Sequence, residues 1–260
     1  MRKVIGEVIE YACRRLGYDL HRHNVYLSEA ARFATMLQHH RVDLVLDVGA
    51  NIGQFAGDLR NKYGYTGRLV SFEPMKAAHD ELCKSAIKDH LWTVAPRAAI
   101  GATTREIEIN VAGNSVSSSV LPMLDRHTAT APESRYTGVE KVPMLPLDSI
   151  AFDYITADSV SFLKIDTQGY EHHVLEGAKR VLSQAAGVQL ELSLLKLYAG
   201  QQLMPEIVEF LGDAGFDLWA MSPAFVEPGT GRILQIDGTF FRRQFSESLS
   251  AKSVQSTAMP

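Results

Sequence analysis

The chain has 260 residues, a formal net charge of −4, 46% hydrophobic residues and two cysteines. That length suits one α/β domain with an added cap and a sizeable core, and the lack of a clustered Lys/Arg stripe disfavours a nucleic-acid substrate. No stretch is long enough to span a bilayer, and Cys13 and Cys83 have neither zinc nor disulfide spacing, so a reducing, cytoplasmic compartment is expected.

Val4, Ile5, Val8, Ile9, Ala12, Cys13 and Leu16 recur at helical spacing and predict an amphipathic helix over 4–16. Glu7 and Glu10 break any leader-like apolar run and favour packing or self-association, hence a possible homodimer, over lying on a membrane. Ser28 is placed to N-cap a second helix running to about His40, so 1–41 reads as a helical cap over part of the sheet or cofactor. From Asp43 onward, strands are expected at 44–48, 68–72, 92–95, 106–111, 161–165, 188–193, 216–220 and 238–242. Helices are expected at 55–63, 76–88, 171–183 and 204–213. This alternation predicts a doubly wound sheet. The last two strands, separated by Pro223, Pro228, Gly229 and Gly231, predict a long-looped antiparallel pair. The stretch 112–147, rich in Ser, Pro, Thr and Gly, reads as a long loop, functional or disordered. The domain is set at 42–245, with a loose tail over 246–260.

The densest signal is Leu46-Asp47-Val48-Gly49-Ala50-Asn51-Ile52-Gly53, followed by Phe72-Glu73-Pro74. It reads as a buried strand, a glycine turn and a helix start, then a strand ending in an acid. Open α/β sheets bind nucleosides at the carboxyl ends of their strands, where backbone N–H groups point outward and an acid can hold ribose hydroxyls. Asn51 and Phe55 stand where a dinucleotide pattern would want further glycines, and the loop has no basic residue for a phosphate. A nicotinamide-dependent oxidoreductase is therefore disfavoured. The arrangement resembles the S-adenosylmethionine site of class I methyltransferases, whose ligand carries a sulfonium and an amino acid but no phosphate. A cofactor-binding protein without catalysis is the alternative from another class.

A second cluster runs through Asp166, Thr167, Gln168, Gly169, Tyr170, Glu171, His172 and His173: a strand ends at Asp166 and a helix starts near Glu171. Glu191 ends the neighbouring strand. Two such carboxylates can bind Mg²⁺ through oxygen and water, or one can act as general base, with His172 or His173 assisting. Against that stands a simple Asx turn at Asp166. Trp92 and Trp219 are expected in the core, His39 and His40 at the surface or as caps, and Tyr136 and Tyr198 as stacking platforms for a sugar ring. His127, in the long loop, could reach a substrate, although a purely structural role is the stronger reading.

The segments LDVGANIG, SFEP, LKIDTQGYEHHVLEGA and LELS, in this order and spacing, resemble the FkbM family of S-adenosylmethionine-dependent methyltransferases over roughly 42–243. The resemblance implies a class I methyltransferase-like sheet, mostly parallel with an antiparallel last strand. It implies O-methylation of a hydroxylated small molecule, a sugar, an oligosaccharide or a glycosylated metabolite. It also implies cofactor contacts at Asp47, Gly49, Ala50, Asn51 and Gly53, with Glu73 on the ribose. Asn114 and Ser117 to Ser119, Ser118 among them, resemble a family serine segment near the cofactor. Asp166, Glu191 and His172 are the candidates for handling the acceptor, Asp166 and Glu191 with or without Mg²⁺.

Overall fold

A computed structural model describes residues 9, 11–20 and 22–243. The expected tail and the first residues of the predicted helix over 4–16 lie outside them. Of that helix, residues 9 and 11–15 are helical, with Ile9, Tyr11 and Leu16 exposed. The next helix, α1 (Glu29–His39), starts as predicted: the Ser28 hydroxyl accepts from Ala31 N–H at 3.2 Å, satisfying one of the free donors of the first turn.

Seven strands form the main sheet in the order β3-β2-β1-β7-β8-β10-β9. They are β1 (Leu44–Val48), β2 (Arg68–Phe72), β3 (Trp92–Val94), β7 (Ser161–Ile165), β8 (Gly187–Ser193), β9 (Phe216–Val226) and β10 (Ile233–Arg242). β1 pairs in parallel with β2 and β7, and β7 with β8, whereas β10 is antiparallel to both neighbours. The doubly wound sheet with a reversed last strand is thus what forms.

Strand β1 is buried along its whole length because both sheet faces are covered. Leu44, Leu46 and Val48 pack with Val174, Val181 and Leu211 of α5 (Glu171–Glu176), α6 (Lys179–Gln184) and α7 (Met204–Asp213). Val45, on the opposite face, packs with Phe33 and Leu37 of α1 and Leu59 of α2 (Gln54–Asn61). The cap expected over 1–41 is, in α1, a packed layer of the sheet. The expected helix over 171–183 is two short helices with a break after the C-cap Gly177, where the backbone passes so close to Gly101 that an added Cβ would come within 1.9 Å of its carbonyl oxygen.

The segment 112–147 is not one long loop. It holds α4 (Asp125–Thr130) and the ten-residue strand β6 (Tyr136–Leu145). β6 joins β5 (Arg105–Ala112) and β4 (Ala99–Ile100) in a separate three-stranded sheet, order β4-β6-β5. Its exposed positions mix Thr137, Gly138, Val139, Lys141 and Pro143, and its few inward residues, Val142 and Met144, pack on Ile107, Ile109 and Tyr170. That weak alternation hides a strand whose partner is distant in sequence. The last two strands are likewise longer than expected. Pro223 lies within β9, which tolerates it as the edge of the sheet.

The third helix, α3 (Lys76–Ala86), follows β2 and brings its N-terminus to the small sheet: Glu140 of β6 accepts from Lys76 N–H at 3.0 Å and from Arg97 at 2.6 Å. Arg97 also donates to Pro74 O. These contacts hold the small sheet over the carboxyl ends of β1 and β2.

Candidate active site

The chain order of the strands reverses between β1 and β7, and a crevice of about 310 Å³ opens there. Crevices at such switch points are where open α/β sheets bind ligands. Asp47, Gly49, Ala50, Asn51, Glu73 and Ser118, six of the expected cofactor contacts, line it. Gly53 does not: it turns toward Trp92, and a Cβ there would fall 2.6 Å from the indole. Gly49, at φ +83°, has its added Cβ only 1.8 Å from the Asp166 carbonyl oxygen. The glycine at 49 is thus needed where the β1 and β7 ends meet, and the one at 53 for helix-on-strand packing.

Glu73 ends β2 with only 4% of its surface exposed. Its two carboxylate oxygens each accept a backbone N–H, from Asn51 at 2.8 Å and from Met75 at 2.8 Å. Each oxygen keeps a lone pair for a further donor. Burial pushes the Glu73 carboxyl up to about 7, against the pull of those two N–H groups. Asp47 is likewise pushed up to about 7 by burial, partly offset by Lys164. Asn51, Ser115 and Gln168 hold left-handed φ values of 47°, 58° and 54° and all line the crevice. Non-glycine residues in that region concentrate at functional sites.

On the far side, Asp166 and Glu191 are joined by one side chain. The Gln168 amide nitrogen donates to Asp166 Oδ1 at 2.8 Å and to Glu191 Oε2 at 3.0 Å. Gln235 donates to Glu191 Oε2 at 3.1 Å. Burial, then Asp166, Glu171 and Asp237, hold the Glu191 carboxyl well above its ordinary range. Lys164, buried on β7 in register with Asp47, places its ammonium 3.3 Å from Asp166 Oδ2. Burial alone would lower that ammonium, but Asp166, Asp237, Asp47 and Glu191 outweigh it. Lys164 was assigned no role by the sequence reading, since a lysine in an apolar strand shows its partners only once the strands are paired. Gln168 escaped in the same way.

These contacts leave the Mg²⁺ expectation without support. Asp166 is engaged by Gln168 and Lys164, Glu191 by two amides, and among the described residues no group of three His, Cys, Asp or Glu side chains is placed to hold a metal. His172 is not brought to the crevice. α5 turns it toward Phe210, edge-on at 5.4 Å, and to Glu176 at 3.8 Å. His173 stacks near Tyr170 at 4.3 Å instead.

Three other residues sit differently from expectation, and His40 meets it only as a cap. Tyr198 is fully buried, so it is no sugar platform, and the Tyr136 hydroxyl donates to Leu121 O at 2.7 Å. His40, expected at the surface or as a cap, ends α1 as its C-cap yet is 1% exposed, lying flat on Phe241 at 3.9 Å; burial lowers its imidazole to about 4. Trp219 is 40% exposed on the edge strand and meets buried rings at His40, 4.7 Å away, and Phe241, 5.3 Å away. Trp92 packs at Gly53 and donates to Ser71 at 2.9 Å, as expected of a core residue.

No curated protein sequence matches the chain. Among solved structures, a methyltransferase FkbM from Methylobacillus flagellatus KT is similar at TM-score 0.44 and 16% identity, covering 77% of this chain and 43% of that one. The chain thus spans less than half the length of that relative. Magnesium protoporphyrin IX methyltransferase from Synechocystis PCC 6803, with bound SAM, is similar at TM-score 0.44 and 11% identity, covering 82% and 77%. Precorrin-6y C5,15-methyltransferase from Geobacter metallireducens GS-15 is similar at TM-score 0.42 and 13% identity, covering 86% and 93%. A model of the methyltransferase FkbM domain matches residues 47–218, from the acid that closes β1 to the first residues of β9. The chain belongs to the FkbM methyltransferase family.

Proposed function

We propose that this chain binds S-adenosylmethionine and methylates a hydroxyl of a sugar, oligosaccharide or glycosylated metabolite. The residues present fit that cofactor in three ways. Asp47, Glu73 and Asp166 make the crevice acidic, and its one basic residue, Lys164, is committed to Asp166. A cationic ligand is favoured there and a pyrophosphate is not. Glu73 retains lone pairs for two vicinal hydroxyls. Asn51 and Ser115, linked at 3.4 Å, form one rim.

S-adenosylmethionine, when bound, supplies an electrophilic methyl on a sulfonium. A hydroxyl that attacks it must lose its proton as the new bond forms, and must approach in line. The observation that carries the reading is the carboxylate pair Asp166 and Glu191, spanned by Gln168 on the crevice side. Asp166, the more open of the two with 36% of its side chain exposed, accepts the hydroxyl's hydrogen bond. Asp166 takes that proton; Glu191, outside the crevice lining, accepts the other hydrogen of the Gln168 amide and holds that amide in place.

Calorimetry with S-adenosylhomocysteine and with NAD⁺ tests the cofactor: binding of the first alone is expected, and binding of NAD⁺ alone would sink the reading. For the reaction, methyl transfer is measured over a glycan panel. Asp166→Ala is expected to lower turnover by roughly 10²–10⁴-fold while cofactor binding persists. Intact turnover in that variant removes Asp166 from the reaction. Tyr11, Leu16 and Tyr18, all exposed, support self-association through the N-terminal segment.

A further inference from the structure

Gln168 can hold two carboxylates only if its amide is turned one way, with NH₂ toward the acids and the carbonyl away from them. The reverse orientation would set a carbonyl oxygen against two carboxylates. What fixes the turn is a buried side chain on the loop after β8: the Tyr198 hydroxyl donates to Gln168 Oε1 at 2.8 Å. The phenol oxygen in turn lies 3.2 Å from His127 Nε2, on α4, and His127 Nδ1 lies 2.9 Å from Ser134 Oγ. Tyr198 is 0% exposed, His127 3% and Ser134 0%. None of the three lines the crevice.

The backbone of Gln168 is held as firmly as its side chain. Its φ of 54° is enforced from both flanks: Glu171 Oε1 accepts from Thr167 N–H at 3.1 Å and Gly169 N–H at 3.0 Å, and Ser119 donates to Gln168 O at 2.7 Å. The tyrosine ring also packs on Gly169, where an added Cβ would stand 2.8 Å from Cδ2.

We propose that His127 and Tyr198 are positioning residues of this site: His127 Nε2–H donates to the Tyr198 oxygen, Tyr198 O–H donates to Gln168, and the amide so fixed presents both its hydrogens to Asp166 and Glu191. The direction of the chain follows from counting hydrogens. Tyr198 has one proton, and if His127 were an acceptor at Nε2 that proton would have two competing acceptors. The tautomer with hydrogen on Nε2 moves the competition to Ser134, whose one hydrogen faces both His127 Nδ1 at 2.9 Å and Ala131 O at 2.6 Å; Ala131 O already accepts Ser134 N–H at 3.0 Å and can release the hydroxyl to Nδ1, whereas the buried Gln168 carbonyl relies on Tyr198. The sequence segments involved, the middle of the 112–147 stretch and the turn after β8, thereby gain a role in the reaction without touching ligand.

This inference rests on the carboxylate-pair reading of the proposed function, so its test has one arm independent of any acceptor. In the ¹⁵N-labelled full chain, NMR is expected to show His127 as the Nε2–H tautomer and the Gln168 side-chain amide as one slowly rotating, carboxylate-shifted NH₂ pair. Tyr198→Phe keeps the buried ring and removes only the hydroxyl. It is expected to shift the Gln168 amide signals and to leave S-adenosylhomocysteine affinity within about twofold by calorimetry. Turnover is expected to fall about tenfold or more with KM unchanged. Finding His127 as the Nδ1–H tautomer, or Gln168 signals unmoved in Tyr198→Phe, overturns the relay. Absence of methyl transfer by the unaltered chain to any hydroxylated acceptor defeats the O-methylation reading instead, with the NMR arm still deciding the orientation.

Discussion

Glu73 shows how one side chain carries local structure and ligand chemistry together. It ties the glycine turn (Asn51 N–H) to the loop after β2 (Met75 N–H) while facing the crevice. Glu73→Ala removes charged hydrogen bonds on both sides, so affinity for S-adenosylhomocysteine is expected to drop roughly 10–100-fold, read by calorimetry. The acids also set a pH dependence. Asp47, Glu73 and Glu171 ordinarily ionise near 3.8, 4.5 and 4.5, and burial pushes each up to about 7. The folded state therefore prefers their protonated forms. The stability they contribute is complete below the ordinary values and is lost as pH rises through about 7. The ligand-free chain should thus melt at lower temperature near pH 8 than near pH 5, and a flat profile would remove this account. The same ionisation favours a cation, so affinity for S-adenosylmethionine should rise with pH more than affinity for its demethylated product, which lacks the sulfonium charge.

At the scale of elements, the close approaches of backbone to backbone decide what the motifs are for. Gly49 lies where the ends of β1 and β7 meet, with positive φ and no room for a Cβ beside Asp166 O. Gly49→Ala is expected to cost about 3 kcal/mol or more in urea unfolding, because strain and overlap with backbone add. Gly177→Ala should disturb the junction of α5 with the Gly101 carbonyl, although Gly177 does not line the crevice. By contrast Ser28→Ala removes one cap and should cost only about 1 kcal/mol. The glycine turn was legible in the sequence as a turn. Its division of labour was not, since Gly49 answers to Asp166 and Gly53 to Trp92, partners far away along the chain.

For the molecule as a whole, the small sheet is the part that closes the site, through the Arg97–Glu140 pair at 2.6 Å and the Glu140 cap on α3. Glu140→Ala is expected to weaken cofactor affinity by about threefold to tenfold and to raise hydrogen exchange in β5 and β6, with little loss of global stability, because a half-exposed pair contributes little to folding itself. Unchanged exchange in those strands would show that the wall is held by its apolar contacts alone. The sequence by itself determined the main sheet, the Asp47–Gly53 turn, Glu73 and Asp166, because each depends on residues near one another: apolar runs, a turn and an acid at a strand's end. Only the tertiary structure decided the second sheet, the burial of His40, the removal of His172 from the site, and the joining of Asp166 to Glu191 through Gln168, with Lys164 on Asp166 and Tyr198 on Gln168. Those depend on which distant strands pair and which faces are covered, and periodicity along the chain carries no information about either.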